Sequence, residues 1–114
     1  MTEGRRRRTV YVSRDASGRL QAELDTAPRA AYENLCATIA VRFGLSPVSR
    51  LIVGVDEVFQ DYASGDCTIG LEWDTWSRFL VVAKTRESEP LLRKVAAFLE
   101  TAAADDRDPS GRTR

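Results

Sequence analysis

The chain has 114 residues, 43% of them apolar, with 17 Lys+Arg balanced by 17 Asp+Glu, two Cys and no His. That length fits a single domain, and the apolar share is too high for a disordered chain. The lack of His excludes His-based triads and His-containing zinc sites. No apolar run approaches the ~18 residues of a membrane span, and the charged start lacks the apolar core of a signal peptide. The expectation is therefore a soluble, cytoplasmic domain with no membrane partner.

Residues 1–8 form a polar arm ending in Arg5-Arg6-Arg7-Arg8, and the domain is expected over 9–103. Val10 and Val12 alternate with Tyr11 and Ser13, Asp15-Ala-Ser-Gly18 supplies turn chemistry, and Leu20, Ala22 and Leu24 resume the alternation. This pattern predicts a β-hairpin that must join a larger sheet, because a lone two-stranded ribbon is not stable. Thr26 then offers an N-cap hydroxyl, Ala27-Pro28 opens a first turn, and Gly44 closes the helix. Between them Tyr32, Leu35, Cys36, Ile39 and Phe43 make one apolar stripe on a helix of about 17 residues.

Pro47 blocks any continuation. Leu51-Ile-Val-Gly-Val55 is β-branched enough to predict a central strand, extending through Val58 and Phe59 with Gly54 as a bulge or bend. Ala63-Ser-Gly-Asp66 reads as the next turn. Cys67, Ile69, Leu71 and Trp73 alternate with Thr68, Gly70, Glu72 and Asp74 as a further strand, and Arg78–Lys84 as another after the turn at Asp74–Ser77. These strands read as an antiparallel meander. Ser88 is a candidate N-cap for a second helix whose apolar face is Leu91, Leu92, Val95, Ala96, Phe98 and Leu99. Residues 104–114 have nothing to bury and read as a disordered polar tail. The predicted fold is α+β in two layers, a five-stranded antiparallel sheet with two helices on one face, in the order ββ-α-βββ-α. The opposite sheet face must then be polar or bind something.

Cys36 and Cys67 lack C-x-x-C spacing and any third thiol for zinc. Both fall in apolar patterns, so they are expected to be buried hydrophobes; a disulfide and a reactive thiol are the alternatives.

The zero net charge hides a strong segregation. Residues 1–19 carry six Arg against Glu3 and Asp15, whereas residues 51–77 carry Asp56, Glu57, Asp61, Asp66, Glu72 and Asp74 and no Lys or Arg. About four basic residues would be expected in that stretch if the signs were mixed as usual. The same stretch holds Phe59, Tyr62, Trp73 and Trp76. By alternation Trp73 belongs to the core, while Trp76, in a turn, is the surface candidate. An exposed aromatic among carboxylates is suited to anchoring and steering a basic protein partner. The competing interpretation is a merely solvated acidic face. On the first view the binding residues are Asp56, Glu57, Asp61 and Asp66 as steering charges, Glu72 and Asp74 as closer contacts, and Trp76 as anchor.

Catalysis finds little support. Glu72 and Asp74 converge on one strand face, as metal-assisted chemistry would want, but Lys84 is expected to lie too far along the next strand to join them. The glycines are scattered singly, so there is no phosphate-cradling loop. No enzyme activity, cofactor or metal is expected. Nucleic-acid binding would rest on Arg5–Arg8 alone, without a domain-wide basic face. A homodimer covering its open sheet face is the remaining alternative.

The block Gly70-Leu-Glu-Trp-Asp-Thr-Trp-Ser-Arg-Phe-Leu-Val-Val-Ala, followed by Ser88-Glu-Pro-Leu-Leu and an apolar helix, resembles the small bacterial immunity proteins of toxin competition systems, over roughly residues 50–100. The resemblance implies a compact, non-catalytic cytoplasmic α+β inhibitor whose target would be a basic toxin. The Arg-rich arm departs from that picture.

Overall fold

A computed structural model of the chain describes residues 9–106, with side chains as far as Thr101. The arm at 1–8 and residues 107–114 lie outside the described residues. Seven strands and two helices follow one another as β1 (Tyr11–Arg14), β2 (Leu20–Leu24), α1 (Tyr32–Phe43), β3 (Ser46–Pro47), β4 (Ile52–Val53), β5 (Glu57–Ser64), β6 (Cys67–Asp74), β7 (Arg78–Ala83) and α2 (Glu89–Asp106). The strands form one antiparallel sheet in the order β1-β2-β7-β6-β5-β3, with β4 also paired to β5. The α+β class and antiparallel sheet agree with expectation, but the sheet has seven strands and not five.

The extra strands come from the segment predicted to be a single central strand at 51–55. The Gly54 N–H donates to the Glu57 carbonyl at 2.8 Å, so the chain turns back sharply there. Ile52–Val53 then becomes a short edge strand against Phe59 and Val58. The central position goes instead to β5, which spans residues divided in the sequence reading between a strand end and a turn. Its inward positions include Gln60 and Tyr62, so it lacks the apolar alternation that marks a covered strand.

Register sorts the side chains into two faces. Leu24, Phe79, Trp73 and Val58 form one cross-strand row, and Ala22, Val81 and Leu71 the next. These residues share one buried cluster with Tyr32, Cys36 and Ile39 of α1 and Leu92, Val95, Ala96 and Leu99 of α2, so both helices cover the same face. Buried polar groups are paired: the Tyr32 hydroxyl donates to the Leu71 carbonyl at 2.7 Å, and Trp73 Nε1 donates to the Ala27 carbonyl at 2.9 Å. Trp73 is thus core, as its alternation implied.

Both helix starts differ from the capping patterns read in the sequence. The residue before a proline is disfavoured in the helical region; Pro28 is extended, Arg29–Ala31 form a 3₁₀ turn, and α1 begins only at Tyr32 without a Thr26 cap. Gly44 does end α1, in the left-handed conformation that Gly adopts without penalty. Ser88 is fully buried, yet its hydroxyl does not cap α2. It accepts the Thr68 N–H at 2.7 Å and shares a 2.7 Å hydrogen bond with Thr85 Oγ1, tying the entry of α2 to the start of β6. Arg14 forms a two-pronged ion pair with Glu89, at 2.8 and 3.1 Å, linking β1 to the first turn of α2.

Candidate functional site: an acidic face with an exposed tryptophan

The face away from the helices is built from the alternate residues of the same strands. Glu57 stands directly opposite Asp74, and Asp74 opposite Arg78; Phe59, Glu72, Leu80 and Glu23 form the neighbouring row; Asp61, Gly70, Val82 and Gln21 the next. Four of the predicted binding residues, the steering charges Glu57 and Asp61 and the closer contacts Glu72 and Asp74, therefore share one face on two adjacent strands. Asp56 is exposed in the turn just before Glu57. Asp66 does not join them. It lies in the turn at the far end of the β5–β6 ladder, roughly 25 Å from Asp74 at ~3.3 Å per residue.

The β4–β5 and β6–β7 turns lie side by side at one end of the sheet, because Glu57 pairs with Asp74. Trp76 occupies the second turn and is 80% exposed; Val55, in the first, is 99% exposed. Asp74 holds the Trp76 turn in shape, its Oδ1 accepting the N–H groups of Trp76 at 2.9 Å and Ser77 at 2.6 Å. Part of its role is thus conformational. Arg78 adopts a positive φ of 65° at the exit of this turn and places its guanidinium 5.6 Å from the Trp73 ring centroid.

Glu72 is half-buried near the centre of the face. Burial raises its pKa, and Asp61, Asp74 and Glu57 push in the same direction, while Lys84 opposes them. As expected, Lys84 makes no ion pair within 4 Å with Glu72 or Asp74 among the described residues, but it does reach a third carboxylate on the same face. Its Nζ is 3.5 Å from Asp61 Oδ1. The meeting point is Gly70, where a Cβ would sit 2.9 Å from Lys84 Cε, 3.1 Å from Glu72 Oε2 and 3.2 Å from Asp61 Oδ1. The missing side chain lets the three charged groups converge. Sequence reasoning overlooked this because Gly70 looks like one more small residue in an alternating strand; a polar-face Gly flanked by carboxylates is the signal that was available.

Among the described residues, Lys84–Asp61 is the one ion pair within 4 Å that involves the face carboxylates. No group of three or more acidic or thiol side chains is placed to hold a metal ion among those residues. Cys36 is buried, which pushes its thiol up to about 11, and Cys67 is partly buried near the Glu87 carbonyl; both are free thiols. No family model matches this sequence, and no curated protein or solved structure is similar enough to count as a match.

Proposed function

We propose that this domain is a small, non-catalytic protein-binding module that takes a basic partner on its acidic face, in the manner of an immunity-type inhibitor. The observation that carries this reading is the gathering of Glu57, Asp61, Glu72 and Asp74 on one open face beside the exposed Trp76. Such an arrangement gives long-range steering from carboxylates of which, among the described residues, Asp61 alone has a cation within 4 Å, and a large aromatic surface for anchoring. Glu72 strengthens the reading, since burial disfavours its charged form and so its ionised carboxyl costs stability. The homodimer alternative has less to draw on: Leu80 and Val82, on the open face, are already 7% and 6% exposed without a second copy. The bacterial, cytoplasmic setting belongs to the same proposal, as does the absence of a cofactor.

The test is affinity capture from a lysate of the encoding organism at low and high salt. The wild type runs beside a variant carrying Glu57→Gln, Glu72→Gln, Asp74→Asn and Trp76→Ala. Asn is chosen at Asp74 because its side-chain oxygen can still accept the turn N–H groups. A basic protein held by the wild type at low salt and absent from the variant supports the module. Identical retention by both baits, or none by either, removes it.

A further inference from the structure

The sheet edge beside the acidic face carries information of its own. In an antiparallel pair, successive residues alternate between facing the neighbouring strand and facing outward with their backbone groups. The Gly54 N–H bonds to Glu57, so Ile52 also faces β5, and Val53 directs its N–H and C=O away from the sheet. Further along the same edge the outward donor is absent. Val48 N–H bonds inward to Asp61 at 2.9 Å, which leaves Pro47 in the outward position, where it has no N–H to offer. Proline at that position is a standard guard against strand addition. Between the two, Ser49 is folded onto β5, its Oγ accepting Asp61 N–H and its carbonyl accepting Gln60 Nε2, each at 2.9 Å. Among the described residues nothing comparable protects the edge from Leu51 to Val55, and Leu51, Ile52, Val53 and Val55 are all exposed.

The charge next to this unguarded stretch states what would fit it. A strand added outside β4 would place alternate residues on the open face, beside the carboxylates, and the others beside Val53. Gly54 leaves a gap at that point: a Cβ there would come within 3.4 Å of Glu57 Cγ and 3.8 Å of Glu57 Oε2. A long basic side chain entering from the edge can therefore pass over bare Gly54 to the Glu57 carboxylate. A second copy of β4 would bring Ile52 and Gly54 to the same side, neither of which answers that charge.

We infer that the Leu51–Val55 edge is a strand-addition site for an extended segment of alternating basic and apolar residues, using the outward backbone groups of Val53 and the opening over Gly54 to Glu57. This rests on the binding-module reading above and names its mode of recognition: main-chain hydrogen bonds for affinity, alternate side chains for specificity.

The probes are nine-residue labelled peptides of alternating Lys and Val, and of alternating Lys and Gly at equal charge, titrated by fluorescence anisotropy. The Lys–Val peptide is expected to bind and to slow hydrogen exchange at the Val53 amide. Val53→Pro removes a donor that β5 does not use, and should weaken binding about tenfold, near the upper end of the net worth of one backbone hydrogen bond. Gly54→Val, which suits a strand and covers Glu57, should weaken the Lys–Val peptide while circular dichroism stays unchanged; it tests the same site if Val53→Pro proves unstable. Equal binding of the Lys–Val and Lys–Gly peptides, indifferent to Val53→Pro and Gly54→Val but weakened by Glu57→Gln and Glu72→Gln, would overturn the edge inference and leave the acidic module standing. Peptide binding indifferent to those carboxylates as well would remove both. A wild-type dimer in sedimentation equilibrium, abolished by Val53→Pro and unresponsive to peptide, would assign the edge to a second copy instead.

Discussion

Ser88→Ala is the sharpest test of how the helical layer is attached to the sheet. In the fold Ser88 Oγ sits at the end of the β6–β7 ladder, accepting the Thr68 N–H and sharing a bond with Thr85 Oγ1, each at 2.7 Å in a fully buried position. Alanine removes both interactions. At about 1 kcal/mol net for each hydrogen bond, with about 1 kcal/mol more for leaving a shielded N–H without a partner, the expected loss is about 3 kcal/mol. For a domain of this size such a loss lowers the thermal midpoint by roughly 10–20 °C. Urea unfolding with an unchanged slope would give the energy, and hydrogen exchange would show the Thr68 amide losing protection more than its β6 neighbours. Thr85→Val removes one of the two bonds and should cost about 1 kcal/mol. Had Ser88 been a simple N-cap, the loss would be about 1 kcal/mol and Thr68 would exchange as before. A loss of that size together with unaltered Thr68 exchange would refute the attachment described here.

Other consequences follow from the open face and the cysteines. The Glu72 pKa is raised in the fold, so its ionisation destabilises the domain as pH rises from the ordinary carboxylate value through the raised one, and the penalty is absent at lower pH where the group is protonated in both states. Glu72→Gln should therefore be the more stable protein at neutral pH, with the gap closing on acidification; denaturation at several pH values would show otherwise if Lys84 outweighs burial. Gly70→Ala should displace Lys84, Glu72 and Asp61, whose flexible ends are what a Cβ would meet. It should alter binding on the acidic face with little change in unfolding free energy, whereas a drop of more than about 2 kcal/mol would show that the strand itself cannot accommodate the methyl. In native protein a thiol reagent at mildly alkaline pH should label Cys67 ahead of Cys36, which is buried and has a thiol pKa of about 11. Equal labelling rates at low denaturant would contradict the packing of α1.

Much of this was present in local sequence. The stripe from Tyr32 to Phe43 identified the buried face of α1 because residues three and four apart share a helix face, and Gly44 marked its end. The period-2 runs at Leu20–Leu24 and Cys67–Trp73 identified two strands and their inward residues, Trp73 included. The concentration of carboxylates between 51 and 77, and Trp76 in a turn, were readable without coordinates. Alternation already implied that Glu72 and Asp74 share a face.

Tertiary structure decided what depends on partners distant in the chain. Leu51–Val55 has the composition of a central strand, and nothing local distinguishes a strand with two neighbours from one with a single neighbour. The Gly54–Glu57 hydrogen bond and the pairing of β5 with β6 placed it at the edge and left its apolar residues exposed. The same pairing united Glu57 and Asp61 with Glu72 and Asp74 and sent Asp66 to the far end of the ladder. Lys84 reached the carboxylates because β7 lies beside β6 and Gly70 has no side chain to keep them apart. Ser88 acquired a strand amide as partner, not the start of its own helix. Periodicity follows from the geometry of one backbone segment, so it is written locally; edges, cross-strand neighbours and converging charges are properties of the whole sheet, settled only when its strands meet.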